Sequence, residues 1–217
     1  ESGIAGLPAD RRGRASAAKL DLADIASVDA LADRLIADGG VDILIGNSGG
    51  PPPGEARDAR RDDWLRHFES MAANLFHLAQ RLLPGMAERG FGRIVTIASS
   101  GVEQPIPRLA LSNGIRAAVI GWSKTLASEV AGSGVTVNVV LPGRIHTERV
   151  DQLDDAAAAR AGATRDAIAK ASMASIPAGR YGLPQEFADV VAFLASERAS
   201  YVTGAKIRID GGLIRGI

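Results

Sequence analysis

Cysteine is missing from all 217 residues, which excludes disulfides and thiolate-held metal sites. Aromatic side chains make up only 4 % of the chain, so its core must be built from alanine, valine, leucine and isoleucine. Neither sign of charge is in excess, with 25 lysines and arginines against 25 aspartates and glutamates. That balance gives no electrostatic case for nucleic acid or a membrane surface as partner. Long apolar runs are lacking too, none approaching the roughly 20 residues of a membrane span. What remains is one domain, long enough to bury a sizeable core without staples, with the cytoplasm as its expected location.

What is present in quantity is glycine, at 25 positions, and one stretch around which the rest is organised, Arg93 to Ala118. Arg93 to Ala98 is a short apolar, β-branched run, the mark of a strand buried on both faces. It halts at Ser99, Ser100 and Gly101, which places two hydroxyls at a strand's carboxyl end. In open α/β sheets ligands bind at that edge, because the loops leaving the strand tips form a crevice. A helix is expected next, since Ile115, Val119, Trp122 and Leu126 recur at three- and four-residue steps. On that helix Ser112 and Arg116 fall one turn apart on a single face.

With these features the segment resembles the short-chain dehydrogenase/reductase family, and within it the 3-oxoacyl-(acyl-carrier-protein) reductase type. The resemblance implies a catalytic serine at the strand's end and a Tyr-x-x-x-Lys pair on the following helix. Ser100 matches the serine. Aligning Arg116-Ala117-Ala118 with the family's Lys-Ala-Ala puts Arg116 at the lysine and Ser112 at the tyrosine. The tyrosines present, Tyr181 and Tyr201, lie far downstream.

Other stretches continue the likeness in order. Ala17 to Leu20 reads as a short strand ending at Asp21, and Val28 to Asp38 as an amphipathic helix with Ser27 as its cap. Val41 to Ile45 reads as a second strand, leading into Gly46-Asn47-Ser48-Gly49-Gly50, where the family has Asn-Asn-Ala-Gly lining its cofactor cleft. A single long helix is expected over about Asp63 to Ala87, with Trp64, Phe68, Met71, Leu75, Leu78 and Leu82 as its apolar stripe. Asn74 interrupts that stripe and resembles the family asparagine that orients a water for proton relay; His67 and His77 read as solvated. Val135 to Leu141 reads as a strand, followed by Pro142-Gly143-Arg144-Ile145-His146-Thr147, which resembles the family's Pro-Gly-x-x-x-Thr beside the nicotinamide. An alanine-rich helical stretch, Asp151 to Ala174, stands where the family carries its substrate lid. Gly179 to Pro184, a helix from Gln185, Tyr201 to Gly204 and a strand near Lys206 to Ile209 complete the likeness.

The resemblance implies a three-layer, Rossmann-like doubly wound parallel sheet binding NAD or NADP, with NADP preferred. It places Asp21, Asn47, Gly49, Arg116, Pro142, Gly143, Ile145 and Thr147 at the cofactor. Ser100, Asn74, Ser112 and Arg116 would be catalytic, and Arg144 and His146 would face a small carbonyl or alcohol substrate. A homodimer or homotetramer is implied as well. The strand ending at Asp21 would be the family's third and the one ending at Asn47 its fourth, which are not neighbours. The first two strands and their helices do not fit into the residues before Ala17, so the sheet is expected to lack them. Ser2 to Gly6 echoes the tail of the family's glycine-rich phosphate turn.

The substitutions bear on chemistry. A phenol, with a reference pKa of about 10, can be tuned towards neutrality by a nearby cation, whereas the hydroxyl of Ser112 is shorter and far less acidic. A proton would then come from His146 or through water by way of Asn74 and Ser112. Two classes follow: a divergent NAD(P)-dependent oxidoreductase, or a catalytically inactive dinucleotide-binding or oligomer-forming relative.

Overall fold

The computed structural model describes residues 8–216. The echo of a phosphate turn at Ser2 to Gly6 lies outside them. Four strands, β1 (Ile43–Gly46), β2 (Gly92–Ile97), β3 (Val135–Pro142) and β4 (Lys206–Ile209), form one sheet in that order, each parallel to its neighbour. Parallel neighbours require crossovers, and helices supply them. The helices are α1 (Ala9–Arg12), α2 (Ile25–Ala37), α3 (Arg61–Phe68), α4 (Asn74–Glu88), α5 (Ala110–Val130), α6 (Glu148–Ala161), α7 (Arg165–Ala174) and α8 (Pro184–Ala195). None is long and apolar enough to cross a membrane.

Alternation along the strands sorts the core into two layers. Ile94 of β2 and Val135 and Val137 of β3 pack against Leu78, Leu82 and Met86 of α4 and Leu126 and Val130 of α5, with Val28 and Ala32 of α2 behind. Val95 and Val140 point to the other face and meet Leu194 of α8. Beside β1 that second face is open, and Ile43 and Ile45 are exposed. The registers Gly46↔Thr96, Ile97↔Val140 and Pro142↔Ile209 bring all four carboxyl ends to one edge.

Three expectations need correction. Ala17 to Leu20 is not a strand: a strand needs a partner ladder, and the segment finds none among the described residues. Ser27 does not cap α2; Asp24 does, accepting from the Ala26 N–H at 3.0 Å, while Ser27 Oγ accepts from the Asp21 N–H at 3.0 Å. The long helix is broken by a π-helical turn over Glu69–Ala73. Such a turn shifts the helical phase. Phe68, before it, is exposed, while Met71, Leu75, Leu78 and Leu82 are buried.

Candidate active site

The site is built on three neighbouring strand tips. At β1, a Cβ on Gly46 would lie 3.0 Å from the tip of the Leu75 side chain, so glycine lets the strand pack closely onto α4 without displacing that leucine. The chain then emerges as exposed Asn47, half-buried Ser48 and exposed Gly49 and Gly50. At β2, Ala98 N–H still donates to Val140 O at 2.9 Å, after which Ser99 turns into a short 3-10 helix, Ser100–Val102. At β3, Gly143 is needed because a Cβ there would come within 2.7 Å of Asp210. Ile145 pairs with Gly182, and Thr147 stands at the start of α6 with its Oγ1 donating to Ile145 O at 3.3 Å.

Helix α5 presents its first turn to these tips. Asn113 fixes the approach loop, donating to Ile106 O at 3.0 Å. Leu111 and Ile115 anchor the helix in a cluster with Met71 and Ala72, and half-buried Ser112 and Arg116 lie one turn apart. Arg116 joins two strand tips: Nη1 donates to Ile97 O at 2.8 Å, and Nη2 donates to Ser48 O at 3.4 Å and Gly49 O at 3.3 Å. Burial lowers its pKa from the usual arginine range, and the nearby cation of Arg149 lowers it further. A guanidinium remains charged nonetheless.

The structure thus brings Asn47, Gly49, Ser99, Ser112, Arg116, Pro142, Gly143, Ile145 and Thr147 to one edge. Burial and bonding differ among the residues expected there. Ser100 is only 4 % exposed, whereas Ser99 is half-buried at the crevice, its Oγ accepting from the Gly101 N–H at 3.0 Å. Two adjacent hydroxyls look alike in sequence; the turn decides which is covered. Asn74 is buried and spends its amide on Leu22 O at 2.9 Å, so it fastens α4 to the segment before α2. The Asp21 carboxylate accepts from the Ala23 N–H at 2.8 Å. That residue borders a cavity of about 190 Å³ with Gly49, Gly50, Ser70 and Met71. His67, expected to be solvated, lines the same cavity with a buried Nε2 that has no partner among the described residues. His77, also expected to be solvated, pairs with Asp29 at 2.7 Å.

Arg144, expected at the substrate, is engaged within the chain. It donates to Asp154 Oδ1 at 3.1 Å, and the Tyr181 hydroxyl donates to Oδ2 of the same carboxylate at 2.7 Å. Asp154 is 1 % exposed, so the expected lid is fastened to the β3 loop by a buried clasp. Burial raises the Tyr181 pKa, and this phenol is no substitute for an acidic one. His146 sits at the rim, 3.7 Å from Asp151, a carboxylate also paired with Arg165. The sequence places both hydroxyls at the strand's end without showing that Ser99 is the more exposed of the two, and it does not single out Arg149, an exposed arginine in the first turn of α6 with no distinguishing motif.

The enoyl-(acyl carrier protein) reductase family matches residues 6–214. The 3-oxoacyl-[acyl-carrier-protein] reductase FabG of Salmonella typhimurium is 37 % identical over 195 residues, covering 89 % of this chain and 75 % of that protein. The acetoacetyl-CoA reductase of Cupriavidus necator is 37 % identical over 179 residues, 82 % of this chain and 68 % of the relative. Among solved structures, L-sorbose reductase from Gluconobacter frateurii, complexed with NADPH and L-sorbose, superposes with a TM-score of 0.85 at 31 % identity, covering 91 % of this chain and 76 % of that one.

Proposed function

The chain belongs to the short-chain dehydrogenase/reductase family of NAD(P)-dependent oxidoreductases, and from that premise we propose a working site in which Ser99, Ser112 and Arg116 serve a small carbonyl or alcohol substrate. The observation that carries this reading is the meeting of the β1, β2 and β3 tips around the Ser99 hydroxyl and the Arg116 guanidinium. The residues present suit a dinucleotide. A Cβ on Gly49 would meet nothing within 4 Å, so the crevice edge there is open to a ligand. Asn47, Gly49 and Arg116 would hold the ribose, and Ile145, Thr147 and the Pro142-Gly143 backbone the nicotinamide amide. NADP is the form we propose, as in the NADPH complex of L-sorbose reductase.

When bound, nicotinamide supplies or accepts the hydride; the chain's own groups position the substrate and manage charge and proton. In reduction the carbonyl carbon gains the hydride, the C=O electron pair moves to oxygen, and that oxygen takes one proton. Ser99 Oγ–H donates to the oxygen as charge grows, and Arg116 stabilises that charge from the floor of the site. Ser112 relays the proton from solvent water, since an aliphatic hydroxyl is too weak an acid to supply it alone. His146 is left at the rim and Asn74 in its structural bond. The protein is proposed to work in the cytoplasm as a homodimer or homotetramer, for which exposed Leu65 and Phe68 offer apolar surface.

The test follows NADPH and NADH absorbance with a panel of ketones and β-ketoacyl thioesters. Turnover that is lost in Ser99→Ala and kept in Ser100→Ala supports the assignment. Cofactor binding without turnover over a wide pH range would overturn it.

A further inference from the structure

Most arginines near the crevice are neutralised. Arg108 pairs with Glu55, Arg144 with Asp154, Arg165 with Asp151 and Arg180 with Glu186. Arg116 and Arg149 differ. Neither forms a salt bridge among the described residues, and both reach the same four-residue stretch after β1. Arg116 rises from the sheet side to Ser48 O and Gly49 O; Arg149 crosses from α6, its Nη2 3.5 Å from Pro51 O and 3.7 Å from where a Cβ on Gly50 would stand. Of the α6 carboxylates, Asp151 and Asp155 pair with Arg165 and Asp154 is held by Arg144 and Tyr181, while exposed Glu148 forms no salt bridge among the described residues, with either arginine or any other.

Two neighbouring guanidiniums, partnered only by neutral carbonyls and, apart from the 2.8 Å bond of Arg116 to Ile97 O, at the longer end of hydrogen-bond range, are arranged for an anion. Arginine is suited to that task because its fork matches a carboxylate with two parallel N–H donors. We propose that Arg116 and Arg149 together grip a carboxylate carried by the substrate, so that the site takes oxo acids and their hydroxy-acid counterparts in preference to neutral ketones. The inference rests on the oxidoreductase reading for its setting and names the substrate class within it. It also gives a reason for arginine where the family has lysine: one cation serves both the ribose side and the acid.

The test is calorimetric titration with 3-hydroxybutyrate and with its methyl ester, on the chain alone and saturated with NADP, in the wild type, Arg149→Met and Arg116→Lys. The acid is expected to bind at least about tenfold more tightly than the ester. Arg149→Met should remove that preference while NADPH affinity stays within about twofold, and added salt should weaken only the acid. Arg116→Lys, which keeps a cation, should lose part of it. Equal affinity for acid and ester, no binding of either, or a loss in Arg149→Met that falls on NADPH instead of the acid would each overturn the proposal, the last by assigning the cations to cofactor phosphates. Binding needs no turnover. Reduction of neutral ketones with no acid preference would sink this inference and spare the oxidoreductase reading, while tight acid binding without turnover would do the reverse.

Discussion

Arg93 and Arg116 stand at opposite edges of the sheet, and each gives three hydrogen bonds to main-chain carbonyls. At the amino edge Arg93 is 3 % exposed, donates to Gly92 O at 2.8 Å, Ser196 O at 3.1 Å and Gly134 O at 3.3 Å, and stacks over Phe91 at 4.2 Å. Burial lowers its pKa, and nearby Glu197 works in the opposite direction. At the carboxyl edge Arg116 has one short bond and two long ones, and the charge beside it is another arginine. The first cation completes a fold. The second is left with charge to spend, and the strand tips around it are where a ligand fits. Similar local bonding therefore serves structure in one place and, on the proposed reading, chemistry in the other, and the neighbouring charge is what separates them.

The comparison breaks most readily at Arg93. Arg93→Met strips partners from three carbonyls at a buried site and is expected to cost about 3 kcal/mol, read from denaturant midpoints, with activity per folded molecule unchanged. Next comes the clasp beneath the expected lid. Asp154→Ala leaves the Arg144 guanidinium and the Tyr181 hydroxyl without their shared acceptor, with an expected cost of about 2 kcal/mol and a KM raised more than kcat is lowered, measured by melts and steady-state kinetics. Arg116→Met should cost only about 1 kcal/mol in the same melts, since one good hydrogen bond is lost and repulsion from Arg149 is relieved. A cost as large as that of Arg93→Met would make the two arginines equivalent and remove the contrast.

The smallest effect is at the surface. The Arg180 guanidinium and the Leu183 N–H hold the Glu186 carboxyl at about 2, below its ordinary 4.5. A depressed carboxyl contributes stability above the unfolded pKa and loses it as pH falls through the folded one. The stability gap between wild type and Glu186→Gln should therefore be constant above about pH 5 and close between about 4.5 and 2, as followed by urea midpoints across that range. A gap unchanged down to pH 2 would show that Arg180 does not hold this carboxyl in solution.

The parts legible in the sequence were those fixed by short-range pattern. β2 and β3 are dense runs of β-branched residues, β4 alternates charged residues with isoleucine, and α8 opens on Pro184 with Glu186 in its first turn, so their type and place could be read directly. The failures share a cause, dependence on something distant. Ala17 to Leu20 holds no β-branched residue to support its reading as a strand, and pairing is a property of two segments. The π turn at Glu69–Ala73 is set by how α3 and α4 must phase onto the core. In the site, Ser112 and Arg116 were found because helical spacing is local. The carbonyls that receive Arg116 come from the end of β2 and the loop after β1, and Arg149 arrives from a helix more than thirty residues further along the chain.

The claim on which the rest depends is that Arg116 does electrostatic work at the strand tips, where the family uses lysine beside a phenol. It is tested most directly by the kcat/KM of NADPH-dependent carbonyl reduction in wild type and Arg116→Met, compared at equal folded fraction. A fall of about 10²–10³-fold is expected, the usual cost of removing a preorganised donor from a developing oxyanion. Equal rates in the two proteins would contradict it.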